Sequence, residues 1–282
     1  MRTLTIILLV LTVMSRQLNA DNHSAANNKI TLNLTDTSEI SVKGYIAPIE
    51  NTGSNFHVEW DALANLRVAE PEKQHPTSVF QSFLPNKPVA VGELWALDVR
   101  GVLALLKQLH PKPNLFMHIN AGDSYGLWGC LRAYNEQYAD IVFRIHAEFR
   151  LEDGWFTPSQ FTGHLVIDRN REKVAFFEMY VPEGVINFDV NWKQDENDSH
   201  FHTSTGFCSK IELRAGNQEL LGSIKFTKTI AQEAAERALI HKFYRSERIN
   251  WVPPEQVLEM VEAQQKPIHA VSIDGPLVDE SC

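Results

Sequence analysis

Between Val99 and Leu109 the apolar residues Val99, Val102, Leu103, Leu105, Leu106 and Leu109 recur at helical spacing, with Asp98 placed to cap the first turn and Pro111 to stop the run. The spacing predicts a core-facing helix. From Ile141 to Leu151 the period changes to two: Phe143, Ile145, Ala147, Phe149 and Leu151 alternate with Arg144, His146, Glu148 and Arg150, the pattern of a half-buried strand. Phe161 to Asp168, Val174 to Val181 and Ile186 to Trp192 continue as strands, separated by turn-rich pieces such as Asp168-Arg169-Asn170 and Pro182-Glu183-Gly184. Links this short favour antiparallel neighbours. A further strand pair is expected near Lys210 to Leu213 and Leu220 to Phe226.

The pattern then turns helical again. Thr229 with Gln232 three residues on has the form of a capping box, and Ile230, Ala234, Ala238 and Leu239 lay an apolar stripe on the helix that follows. Pro253-Pro254 opens a second helix through Val257, Leu258 and Val261, ended by Lys266-Pro267. Ile268 to Ile273 reads as a buried strand, and Gly275-Pro276 begins a loop that carries Asp279, Glu280, Ser281 and Cys282.

At the other end, Arg2 precedes an apolar run from Leu4 to Met14, and Leu18-Asn19-Ala20 closes it with a small residue, the layout of a signal peptide cleaved near Ala20. An uncleaved anchor would need about 20 apolar residues. Asp21 to Ser54 is rich in Asn, Ser and Thr and reads as a poorly ordered lead-in with one short strand around Ile40 to Ile46. The expected organisation is a signal peptide over 1–20, a polar lead-in over 21–55, a β-rich domain over 56–226 and a further unit over 227–282.

Composition narrows the choice of partners. The net charge of −9 lacks the electrostatic footprint of phosphate binding, so nucleic acid is not an expected partner, and without a basic amphipathic stretch only the N-terminal segment offers membrane association. The exported chain is destined for a periplasm or the bacterial exterior, or for the endoplasmic reticulum of a eukaryote. In the latter case Asn22, Asn33 and Asn197 stand in glycosylation sequons, Asn22-His-Ser24, Asn33-Leu-Thr35 and Asn197-Asp-Ser199. Three cysteines are too few for a disulfide scaffold. Cys130, among Leu127, Trp128 and Leu131, reads as a buried inert thiol; Cys208 is a possible partner for it.

Two constellations carry candidate chemistry. Cys282 sits in a loop leaving a buried strand, the position at which a thioredoxin-like fold presents its reactive thiol, although pattern alone leaves a stray cysteine as the competing reading. His146 and Glu148, two apart on one strand face, would ligate a metal if His164 or His200-Phe-His202 came near. Alternating charges on a strand more often form cross-strand salt bridges, and a solvated or salt-bridged face is the favoured expectation. The residues call for no cofactor and no metal.

Phe143-Arg-Ile-His-Ala-Glu-Phe149, Phe156-Thr-Pro-Ser-Gln-Phe-Thr-Gly-His164, Tyr180-Val-Pro182 and Asn187-Phe-Asp-Val-Asn-Trp192 resemble the central block of the selenoprotein N family. Flanking pieces agree in order, from Phe83-Leu-Pro85, Trp95, Leu109-His-Pro-Lys-Pro113 and Cys130-Leu131 to Ala235-Glu-Arg237, Val252-Pro253, Lys266-Pro-Ile-His269 and Leu277-Val-Asp-Glu-Ser-Cys282. The resemblance spans roughly Phe80 to Cys282. It implies an α+β protein: a family-specific domain with a central antiparallel sheet, followed by an incomplete thioredoxin-like domain. It further implies that Cys282, preceded by Ser281, is the family's active-site cysteine, that selenocysteine follows it, and that the substrates are protein disulfides. The corresponding expectation for the gene is a UGA directly after the Cys282 codon. The calcium-binding loop of animal members is not carried over, since Asp195 to His200 lacks its turn glycine and terminal glutamate. A non-catalytic exported binding module is the rival class.

Overall fold

The computed structural model of the protein describes residues 29–115, 126–193, 200–243, 252–265 and 268. Its first-half elements are β1 (Glu39–Ile46), β2 (Asn51–Thr52), α1 (Phe56–Glu59), α2 (Asp61–Ala64), β3 (Glu72–Pro76), α3 (Thr77–Gln81), β4 (Leu94–Ala96), α4 (Val99–Leu109), β5 (Pro113–Asn114), β6 (Leu127–Tyr134) and β7 (Tyr138–Ile145). There follow β8 (Glu148–Leu151), β9 (Gly154–Pro158), β10 (Phe161–Asp168), β11 (Lys173–Tyr180), β12 (Phe188–Trp192), β13 (His202–Phe207), β14 (Ile211–Gly216), α5 (Glu219–Ser223), β15 (Lys228–Thr229), α6 (Gln232–Phe243) and α7 (Pro254–Gln264).

The strands form two sheets. A nine-stranded sheet runs β15-β6-β7-β10-β11-β14-β1-β3, with β4 also on β6, and a six-stranded sheet runs β2-β13-β12-β9-β8-β5. Every strand pairing among the described residues is antiparallel, both where a short link joins neighbours, as in β6–β7 and β10–β11, and where distant segments meet, as in β1–β14 and β2–β13. Helix α4 has the residues the pattern assigned to it. Asp98 accepts a 2.9 Å bond from the Arg100 N–H, a cap that contributes about 1 kcal/mol. Its buried face, Val102, Leu105, Leu106 and Leu109, packs into the main core with Phe80 and Phe83 of the α3 segment. Phe83 meets Phe143 of β7 edge-on at 4.9 Å, and Phe143 stacks on Phe177 of β11 at 5.9 Å. Phe149, Phe156 and Phe188 continue the same core into the second sheet.

Four expectations need correction. Ile141 to Leu151 is not one strand: β7 ends at Ile145, His146-Ala147 crosses over, and β8 begins in the other sheet. The alternation runs through the crossover because both strands point every second residue into one shared core. Leu220 to Phe226 holds no strand but begins in α5, because the Asn217 side chain accepts from the Glu219 N–H at 3.0 Å and starts a helical turn. The capping box at Thr229 is not formed. Thr229 pairs with β6 as part of β15, and the apolar contact of α6 comes from Ala235 and Leu239, while Ala234 is exposed.

The polar lead-in, lastly, is part of the body from Lys29 onward. Ile30 bridges to Val89, Leu32 and Leu34 are buried, and β1 lies inside the large sheet between β14 and β3. β15 and α6, the first elements of the unit expected over 227–282, lie on β6 and β7. The strand expected at Ile268 to Ile273 lies, but for its first residue, outside the described residues.

The outer edge of the large sheet is β3. It reads Glu72-Lys73-Gln74-His75-Pro76, and only its inner side pairs, with β1. At the opposite side the terminal pieces on β6 are short, two residues in β15 and three in β4.

Candidate functional site

Cys282 and Ser281, with Asn22, Asn197 and the proposed signal segment, lie outside the described residues. Asn33 lies within them, on the surface. Its side-chain amide donates to Glu172 at 3.3 Å and the Thr35 hydroxyl donates to the same carboxylate at 2.5 Å, while Leu34 between them is buried. Glu172 itself stands at a φ of 48° in the β10–β11 turn, so this sequon is clamped to a tight turn.

The four residues expected on one salt-bridged strand face separate. Arg144 is buried in the row between Trp128 of β6 and Thr162 of β10. His146 is fully buried at the crossover, where its backbone N–H donates to Gly126 at 3.0 Å, and burial, then the Arg144 charge, holds its imidazole well below the ordinary histidine range. Glu148 accepts from the Asn114 amide on the second sheet, and Arg150 is exposed. His146 therefore lies in the crossover and Glu148 in the second sheet, so the two do not share a strand face. Among the described residues no three His, Cys, Asp or Glu side chains converge as metal ligands.

What does converge is a polar network on the other face of the large sheet. One register row runs Cys130, Val142, His164, Glu178, Arg214, Lys43, Glu72 across β6, β7, β10, β11, β14, β1 and β3. Helix α6 covers the first part of it, seating Ala235 and Leu239 on Cys130 and Val142. Beneath it Asp140, fully buried, takes Arg132 Nε on one oxygen and His164 Nδ1 at 2.9 Å on the other. Gln232, the first residue of α6, brings its amide nitrogen 3.3 Å from His164 Nε2 and 2.8 Å from Glu236. That nitrogen is a donor, so His164 Nε2 accepts and Nδ1 carries the proton donated to Asp140. The arrangement ties α6 to the sheet; with Gln232 on Nε2, the ring is held as a strut and not offered to a substrate. Beyond α6 the row ends in ion pairs, Arg214 with Glu178 at 2.6 Å and with Glu212 at 3.0 Å.

Pattern reading missed this network. The signal available was a single carboxylate, Asp140, set in the apolar run Ala139 to Phe143.

The two described thiols are free. Cys130 lies under α6, whereas Cys208 belongs to the main core, its Sγ 3.5 Å from the Ala47 and Lys210 carbonyls, so they do not pair. Burial, then the Asp140 charge, pushes Cys130 up to about 11, and burial also raises Cys208. Both should resist a thiol reagent at pH 8 in the native protein and react fully in urea. Peptide mass spectrometry after timed alkylation checks this, and labelling at the unfolded rate without urea would contradict the burial.

Two antiparallel sheets around an aromatic core, with one sheet's outer face closed by a helix over a buried Asp-His-Arg network, define an α+β protein of β-rich type. Its sequence is similar to selenoprotein N. The protein of that name from Danio rerio is 28% identical over 73% of this chain and 42% of its own length. The Homo sapiens protein is 26% identical over 78% of this chain and 47% of its own, and the Mus musculus protein 28% identical over 78% and 50%. The chain thus spans at most about half the length of these relatives. No family model matches it. No solved structure matches it significantly.

Proposed function

We propose that this chain carries the platform and the first active-site residue of an exported thiol/selenol-disulfide oxidoreductase of the selenoprotein N type. The supporting observation is the similarity to selenoprotein N over 73–78% of the chain. In this reading Ser281-Cys282 precedes a selenocysteine. The selenolate attacks a substrate disulfide, forming a Se–S bond and releasing one thiolate. Cys282 then displaces the second substrate sulfur from selenium, leaving a Cys282–selenium bond and a substrate reduced by two electrons. A dithiol reductant returns the pair to its starting state. The thioredoxin-like unit over 227–282, the cleaved signal and the glycosylated sequons belong to the same proposal. Cys130 and Cys208, buried and with raised thiol pKa values, take no part.

The test is a disulfide-reductase assay on a form extended beyond Cys282 with a selenocysteine or cysteine in the next position. Turnover is expected in that form and its loss in Cys282→Ser. Equal rates in the two would remove the enzyme reading in favour of an exported binding module.

A further inference from the structure

The outer face of the six-stranded sheet carries a cleft of about 820 Å³, inside the range of roughly 300–1,000 Å³ typical of ligand sites. Strand alternation builds it. Phe149 and Phe156 point into the core, so their neighbours Glu148, Arg150 and Trp155 point out. Register then aligns Arg150, Trp155, Asn191 and Thr203 in one outward row across β8, β9, β12 and β13.

The floor is held from several sides. Gly154 lets β12 approach, because a Cβ there would lie 2.0 Å from the Asn191 carbonyl oxygen. The Glu152-Asp153 turn, with Asp153 at a φ of 62°, accepts from the Trp60 indole at 2.9 Å and from the Lys193 N–H at 2.9 Å. Asn191 donates to Asp189 at 3.1 Å and accepts from the Thr203 hydroxyl at 2.9 Å, and Asn114 donates to Glu148. These planar side chains are fixed before any ligand arrives.

The lining has a particular chemistry. Trp155 and Phe201 form an aromatic wall, ring centroids 4.7 Å apart, with Lys193 Nζ 4.8 Å from the Phe201 centroid. Three cations, Lys112, Arg150 and Lys193, face three anions, Glu148, Glu152 and Asp153. Balanced charge gives no net attraction for a polyanion or a polycation. An aromatic wall suits the C–H face of a pyranose ring, and carboxylates, an amide and a guanidinium suit its vicinal hydroxyls, each able to engage two at once.

We propose that this cleft binds a neutral oligosaccharide. The site is remote in sequence from Cys282 and does not rest on the redox reading. A free sugar and the glycan of a glycoprotein offer the same chemistry, so both are probed. The chain is titrated with cellotetraose, maltotetraose, chitotetraose, mannotetraose and a high-mannose glycopeptide, read by tryptophan fluorescence and calorimetry.

At least one probe should saturate with a dissociation constant below about 1 mM, and Arg150→Ala should weaken it at least about tenfold. Arg150 is exposed, so that variant keeps the fold; Trp155→Phe, which retains a ring, should weaken binding less than Trp155→Ala. A response to the glycopeptide with none to free sugars assigns the site to glycoproteins, and the reverse assigns it to free saccharides. No saturable response to any probe up to about 10 mM, or equal affinity in Arg150→Ala, overturns the proposal.

Discussion

Replacing Asp140 with alanine should lower the stability of the folded chain by about 3–5 kcal/mol, a large part of the 5–15 kcal/mol by which a domain is ordinarily stable. Asp140 has no exposed side-chain surface, and its two oxygens serve Arg132 and His164, whose side chains are 16% and 11% exposed. Without it the guanidinium stays in place with its counter-charge gone, and His164 Nδ1 loses its acceptor. The strut from His164 to Gln232 loosens in turn, so α6 should show faster amide exchange than in the parent. Arg132→Met in the Asp140→Ala background should restore part of the loss, because it removes the stranded charge. Urea unfolding of the three variants provides the measurement. A cost below about 1 kcal/mol for Asp140→Ala would mean that the network is not a structural tie.

Mild acid should destabilise the protein before its carboxylates titrate. The cause is buried imidazole: burial lowers His146 strongly and also lowers His75, which keeps a 2.9 Å bond to Gln108. Both have folded pKa values below the unfolded value of 6.5. Above that pH their contribution to stability is fully present. As the pH falls below it the unfolded chain takes up protons that the folded chain refuses, at about 1.4 kcal/mol per pH unit for each such histidine, until the folded pKa is reached. Urea midpoints at pH 7.5, 6.5 and 5.5 should therefore fall in that order, and His146→Gln should flatten the series. Level midpoints in the parent would show that both imidazoles accept protons in place.

The legible parts of the fold were those whose signals are local. Asp98, the apolar spacing through Leu109 and Pro111 fix α4 within a dozen residues, and the turns at Asp168 and Pro182 separate β10, β11 and β12. The misread parts depend on what lies opposite. Arg144 resembles a solvent-facing residue of its strand, but it shares its face with Val142, on which α6, nearly ninety residues further on, is seated. Alternation cannot reveal a cover supplied by a distant helix. The β7–β8 crossover is silent for a related reason, since the inward residues on both sides of it enter one core. Asp140 offers only the signal of a carboxylate in an apolar run, and its meeting with His164 depends on strand register. Ser281 and Cys282, singled out by a weak loop pattern and chiefly by family resemblance, fall outside the described residues.

The margins of the nine-stranded sheet bear on how the protein behaves when crowded. At β3 a second molecule would have to align with Glu72 and Lys73 and accommodate Pro76, which has no N–H to give and stands two residues beyond Gln74. At the opposite side β15 and β4 are too short to template a long intermolecular ladder. Edge-to-edge growth into fibrils is thus blunted at both margins. Within the described residues, resistance to edge-to-edge pairing resides at the ends of the large sheet, apart from the core that supplies thermodynamic stability.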